Sequence, residues 1–149
     1  MTPALLLAVN AAATWYLTGL IWVIQVVHYP LFSYAERTSY AAFAAAHGRR
    51  ISLIVGPAMV VELVTAGWLI VSRPAALPVG WAWVGAGLVA VIWMSTGAVQ
   101  VPLHAELARG YDAQVHASLV TSNWARTMAW TARSVLLLVV VVRSLQAAN

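Results

Sequence analysis

The sequence contains no cysteine and no lysine, and only four of its 149 residues are acidic. Without cysteine, disulfide exchange, thiolate catalysis and cysteine-ligated metals are excluded. Without lysine, Schiff-base chemistry is excluded, and with it a retinal pump. A P-loop is excluded as well, because it requires a lysine. All eight basic residues are arginines scattered among apolar runs. This pattern gives no support to nucleic-acid binding, which requires a clustered basic surface.

Charge of either sign is scarce: 8% of the residues are charged and 62% are hydrophobic. A soluble domain carries about 25% charged residues, so this chain cannot cover a water-facing surface. Four apolar runs each approach the roughly 20 residues needed to cross a bilayer. We therefore predict one transmembrane domain over residues 1–149, with spans at about 3–28, 51–71, 79–102 and 118–142.

The predicted fold is an all-α, integral membrane four-helix bundle with up-down-up-down topology. The polar, alanine-containing segment SYAERTSYAAFAAAHGRR after helix 1 predicts a short helix that lies at the interface. The first apolar run has no basic residues before it and is too long for a signal peptide, so we expect it to be a retained helix.

Arginine is unevenly distributed between the two sides of this topology. The loops after helices 1 and 3 carry four arginines, whereas the other side carries two. By the positive-inside rule we expect both long loops in the cytoplasm and both termini outside, in a bacterial-type inner membrane. The lipid bilayer is then the first partner, and a homo-oligomer is compatible with the sequence.

Each of the four histidines lies at the predicted cytoplasmic end of a different helix: His28, His47, His104 and His116. Neutral imidazole is a common metal ligand, and bundle metal sites use side chains from facing helices. Iron or copper would suit oxidative chemistry and zinc hydrolysis, while haem b held by two histidines is an alternative. The opposing interpretation is that polar residues of every kind collect at the end with the longer loops.

Glu62 and Arg133 are the deepest charges in the predicted spans. A carboxylate inside a span is costly and usually functional. We favour a Glu62–Arg133 ion pair over Glu62 as a metal ligand or proton acceptor, although a pair next to a metal site would combine both. Asn123 and Arg126 lie on or beside the inward-facing stripe of helix 4. With Glu62 and Arg133 they are the candidate catalytic or substrate-orienting residues.

Two segments, VPLHAELARG and LVTSNWARTMAWTAR, resemble the corresponding segments of small four-helix membrane proteins in the anthrone-oxygenase-like group. The resemblance covers the C-terminal third and the four-span layout. It implies a cofactor-poor oxygenase or oxidase that acts on a lipophilic aromatic, and it points to His104, Asn123, Trp124 and Arg126. His104 stands where those relatives often carry asparagine, which favours a metal here.

The leading hypothesis is therefore a membrane-embedded, metal-dependent oxidoreductase or oxygenase whose lipophilic substrate enters from the bilayer. Its ligands would come from the four histidines and Glu62. The alternatives are a haem-binding electron-transfer subunit, and a small transporter or structural subunit without a cofactor.

Overall fold

The structure, a computed structural model, describes residues 1–147. It is an all-α bundle of four helices, each long and apolar enough to cross a membrane. The helices are α1 (Pro3–Tyr34), α2 (Tyr40–Val71), α3 (Val79–Leu107) and α4 (Ala113–Gln146). Contacts between the end of α1 and the starts of α2 and α4 give the predicted up-down-up-down order.

The predicted interfacial segment is helical, but it does not form a separate element. Residues 40–50 are the first three turns of α2, which continues without a break to Val71. The reason is local: this stretch is rich in alanine, the strongest helix former, and contains no proline. The helix therefore begins about ten residues before the apolar run that we predicted as the second span.

Helices α1 and α3 share an irregularity near their ends. Each contains one π-helical turn, at Ile24–His28 in α1 and at Thr96–Gln100 in α3. Each π turn is followed by a proline, Pro30 or Pro102. A proline inside a helix removes one donor and clashes with the carbonyl four residues earlier. That carbonyl lies within the π turn in both helices, so the wider turn lets the helix continue past the proline.

Two apolar clusters fill the bundle. One, around Leu17, Phe32, Tyr40 and Ile92, lies towards the end where α1 and α3 finish and α2 and α4 begin. The other, around Leu6, Leu69, Leu77 and Leu137, fills the opposite end. We call the end of the bundle that contains the first cluster the histidine end. Buried polar side chains lie between and beside the clusters, and they are the candidates for function.

Candidate functional site

Three histidines converge at the histidine end, each from a different helix. His28 Nε2 on α1 lies 2.9 Å from His47 Nδ1 on α2. The ring centres of His47 and His104, on α3, are 5.4 Å apart. We call His28, His47 and His104 the histidine cluster. The long α2 creates it, since His47 lies in the turns that precede the apolar part of that helix.

Tyr29 links the cluster to the fourth helix. Its hydroxyl is 2.8 Å from His104 Nε2. On α4, His116 Nε2 donates a hydrogen bond of 2.8 Å to the Tyr29 carbonyl oxygen, so His116 carries its proton on Nε2. The other ring nitrogen of His116 is 3.4 Å from the Tyr111 hydroxyl. His116 thus holds the backbone beside the cluster and is not among the converging rings.

Sequence reasoning did not identify Tyr29 as a site residue. The available signal was its position directly after His28, at the end of a π turn, since such turns are frequent at functional sites.

The histidine cluster is not arranged around a metal position. Within residues 1–147, no group of three or more histidine and acidic side chains is placed to hold a metal ion. The closest two ring nitrogens point at one another and share a hydrogen bond. However, His47 Nε2 is buried and has no hydrogen-bond partner. An unpartnered buried nitrogen is costly and unusual, and it suggests that the cluster has another partner.

Glu62 and Arg133 form the ion pair that the sequence favoured. Arg133 Nε lies 3.0 Å from Glu62 Oε1, and both side chains are at most 2% exposed. Glu62 Oε1 also accepts from Thr14 at 2.7 Å, and Oε2 accepts from Trp130 at 3.0 Å. Every oxygen of the carboxylate is therefore occupied by a donor.

The guanidinium of Arg133 is equally well satisfied. It donates to the Gly85 carbonyl oxygen and to Asn10 Oδ1, each at 2.7 Å. Side chains or backbone from all four helices thus meet at one buried ion pair, which suits a structural role. Glu62 lies fifteen residues after His47 on the same helix, about 22 Å along its axis. The structure does not bring Glu62 to the histidine cluster.

A layer of amides lies between the ion pair and the cluster. Asn123 Nδ2 donates to Gln25 Oε1 at 2.8 Å, and Gln25 Nε2 donates to the Val120 carbonyl oxygen at 3.0 Å. Gln100 Nε2 donates to Ser122 at 2.9 Å. The remaining oxygens, Asn123 Oδ1 and Gln100 Oε1, are buried without partners. Gln25 and Gln100 each belong to one of the π turns, which direct both side chains inward.

Arg126 is the most unusual side chain of this layer. It is 5% exposed, and its Nε has no hydrogen-bond partner. The guanidinium lies near the Tyr29 hydroxyl and His104, and 5.2 Å from the centre of the Trp130 ring. A small cavity of about 10 Å³ borders it. The predicted site residues Asn123 and Arg126 are thus close to the histidine cluster, whereas Glu62 and Arg133 are not.

In comparisons with protein-family models, curated proteins and solved structures, this chain gave no match. The resemblance to the anthrone-oxygenase-like group stays a prediction.

Proposed function

We propose that the protein is a membrane-embedded, metal-dependent oxidoreductase that acts on a lipophilic substrate. The observation that carries the proposal is the meeting of three imidazole rings from three helices. Bundles build metal sites from side chains on facing helices, and three histidines hold the metal in some catalytic sites.

The spacing of the donors is compatible with one ion after a small rearrangement. Two nitrogens bound to one metal at about 2.0–2.1 Å lie roughly 2.9–3.4 Å apart, depending on the coordination angle. His28 Nε2 and His47 Nδ1 are 2.9 Å apart already. Metal binding would replace their shared proton, and it would require the rings to turn so that both lone pairs face the ion.

The surroundings suit a held ligand. Metal-binding histidines usually make a second hydrogen bond that fixes the ring, and the Tyr29 hydroxyl makes such a bond to His104. Iron or copper is favoured over zinc, because a redox-active ion would supply electron transfer to or from the substrate. Asn123 and Arg126, about two to three turns after His116 on α4, would orient that substrate.

Metal analysis of the purified protein tests the proposal. We expect about one equivalent of iron or copper per chain, and we expect His104→Ala to lose it. His116→Ala is the matched control, because His116 lies at the same end but outside the cluster, and it should keep its metal. Wild-type protein without a transition metal would refute the proposal. So would a metal content that stays unchanged when His28, His47 and His104 are each replaced by alanine.

A visible spectrum distinguishes haem from a bare ion. Two axial nitrogens on opposite sides of one iron are separated by about 4 Å, twice the metal–nitrogen distance. The 2.9 Å between His28 and His47 is shorter, so these two rings do not fit a haem without moving apart. If purified protein that contains one equivalent of iron shows a Soret band, the bound group is haem b and not a bare ion.

A cofactor-free structural or transport subunit is the second candidate. The hydrogen bonds within the cluster favour it, since they hold His28 and His104 without an ion. Under this function, all the histidine variants would match wild type in metal content, with none bound.

A further inference from the structure

Arg126 carries a buried positive charge that no carboxylate neutralises. An arginine side chain stays protonated in proteins, and an isolated charge in an apolar interior is expensive. Among residues 1–147, the one ion pair joins Arg133 to Glu62. Arg126 lies seven residues before Arg133 on α4, about 10 Å away along the helix.

The other acidic side chains are not available to it. The chain has four in total, and the three besides Glu62 are exposed: Glu36, Glu106 and Asp112. The groups that do face Arg126 are the neutral phenol of Tyr29, the ring of His104 and the indole of Trp130. None of them supplies a negative charge, so the interior of the bundle has one uncompensated cation.

A single trapped water would not satisfy this guanidinium. The cavity beside Arg126 measures about 10 Å³, at the lower limit for one water molecule. Its other lining side chains are apolar: Leu17, Leu20, Ile21, Ile24, Val55 and Trp130. A buried water needs two to four polar partners, and here it would find one. Polar recognition at the guanidinium and apolar walls around it suit an amphiphile, and a carboxylate would enter as the half-buried side chains of Leu20 and Val55 move aside, because the cavity is smaller than this head group.

The cavity also lies at a route from the bilayer. Leu20 on α1 and Val55 on α2 are both half-buried, so they border the lipid-facing surface as well as the cavity. An apolar chain or ring lying between these helices would bring its head group to Arg126.

From this geometry we infer that Arg126 binds the negatively charged head group of a lipophilic acid, such as a carboxylate or phenolate. The assignment of this molecule as the substrate class rests on the proposed function, whereas the anion site itself does not. Its position next to Tyr29 and His104 would set the head group against the histidine cluster.

Binding of two probes that differ only in charge tests the inference. Radiolabelled dodecanoate and dodecanol are titrated at pH 8 into protein held in phosphatidylcholine nanodiscs, with empty nanodiscs as the blank. We expect dodecanoate to bind at least about tenfold more tightly, the effect of a hydrogen bond to a charged group. In Arg126→Met the preference should vanish, and Arg126→Lys should keep part of it. Equal affinity of both probes for wild type would overturn the inference.

Arg143→Met is the matched control. Arg143 also lies over a tryptophan, 4.8 Å from the ring centre of Trp81, but it is exposed and near the opposite end. This variant should retain the preference for dodecanoate. A preference that survives Arg126→Met, or that Arg143→Met removes equally, would overturn the inference.

Thermal unfolding separates ligand binding from a structural role. Because Arg126→Met removes a buried charge that has no counter-ion, it should unfold at the same temperature as ligand-free wild type or higher. A marked fall would mean that Arg126 stabilises the bundle and would overturn the inference. Dodecanoate should raise the unfolding temperature of wild type and leave that of Arg126→Met unchanged.

Lipid composition identifies the source of the anion. If nanodiscs that contain phosphatidylglycerol do not weaken dodecanoate binding, a free lipophilic acid is supported as the occupant. If phosphatidylglycerol competes with dodecanoate, the occupant is a lipid phosphate, and the assignment of a free lipophilic acid is overturned. The titration is repeated on metal-depleted protein. A preference for dodecanoate that persists without metal supports the anion site even if the metal proposal fails. Absence of the preference in protein that contains metal would overturn the anion site alone.

Discussion

Glu62 Oε1 and Arg133 Nε lie 3.0 Å apart in the middle of the bundle, and the side chains around them satisfy both charges. The pair joins α2 to α4, and its other partners come from α1, from α3 and, through Trp130, from α4 itself. In a bundle surrounded by lipid, apolar surface drives helix association weakly, and polar contacts of this kind fix which helix faces meet.

Glu62→Gln should destabilise the protein strongly. The amide keeps the size of the side chain but leaves Arg133 buried without its counter-ion, and breaking one side of a buried pair costs about 3–5 kcal/mol. Unfolding of the purified protein by heat or by denaturing detergent measures the effect. Glu106→Gln, at an exposed position, is the control and should match wild type. Equal stability of both variants would contradict the structural role of the pair.

Gly85→Ala should disturb the same pair from the side of α3. A Cβ atom at this position would lie 2.8 Å from Arg133 Nη1, so the guanidinium would have to move away from the Gly85 carbonyl oxygen. Overpacking of this kind costs about 1–3 kcal/mol. Gly87→Ala, two residues along, has open space around its Cβ and should be neutral or slightly stabilising. Indistinguishable unfolding curves would argue against this packing of α3 on α4.

Tyr29→Phe removes the hydrogen bond to His104 and leaves the aromatic ring in place. If the cluster binds a metal, the loss of this outer partner should weaken metal affinity by about 10–100-fold without abolishing it. Competition with a chelator of known affinity measures the change. His104→Ala, in the same assay, should abolish binding. A metal affinity unchanged by Tyr29→Phe would show that the hydroxyl does not support a ligand.

His116→Ala should lower stability without affecting the cluster chemistry. The substitution removes the 2.8 Å hydrogen bond from His116 to the Tyr29 carbonyl oxygen, which keeps the backbone N–H of Phe32 as a donor. Loss of one such hydrogen bond costs about 0.5–1.5 kcal/mol. Thermal unfolding should therefore shift downwards, and if the cluster binds a metal, the metal content should stay near the wild-type value. Loss of the metal together with stability would instead place His116 among the ligands.

The sequence predicted the bundle because length and apolar composition alone determine which segments cross a membrane. It also predicted the Glu62–Arg133 pair, since two opposite charges deep in apolar helices have few other partners. The helix boundaries were less accessible: the alanines predicted a separate short helix before residue 51, whereas Tyr40 to Arg50 continue directly into the second span.

The candidate site was predicted only in outline. Helix topology placed all four histidines at one end, but side-chain direction separates His116 from the other three. The partners of the ion pair, Asn10 and the Gly85 carbonyl oxygen, depend on how the helices rotate against one another, which no local pattern specifies. Burial of Arg126 without an acid follows from that packing too.

The two π turns have a consequence for helical register. Each inserts one residue into its helix, which rotates everything beyond it by about 100° relative to a regular α-helix. Upstream residues such as Asn10 therefore face the ion pair in one register, while His28 and His104 face the cluster in another. Deleting a single residue from either turn would remove this extra rotation, leave the upstream residues of the ion pair in register, and turn its histidine away from the other two. It would also bring back the clash between the following proline and a regular helical turn.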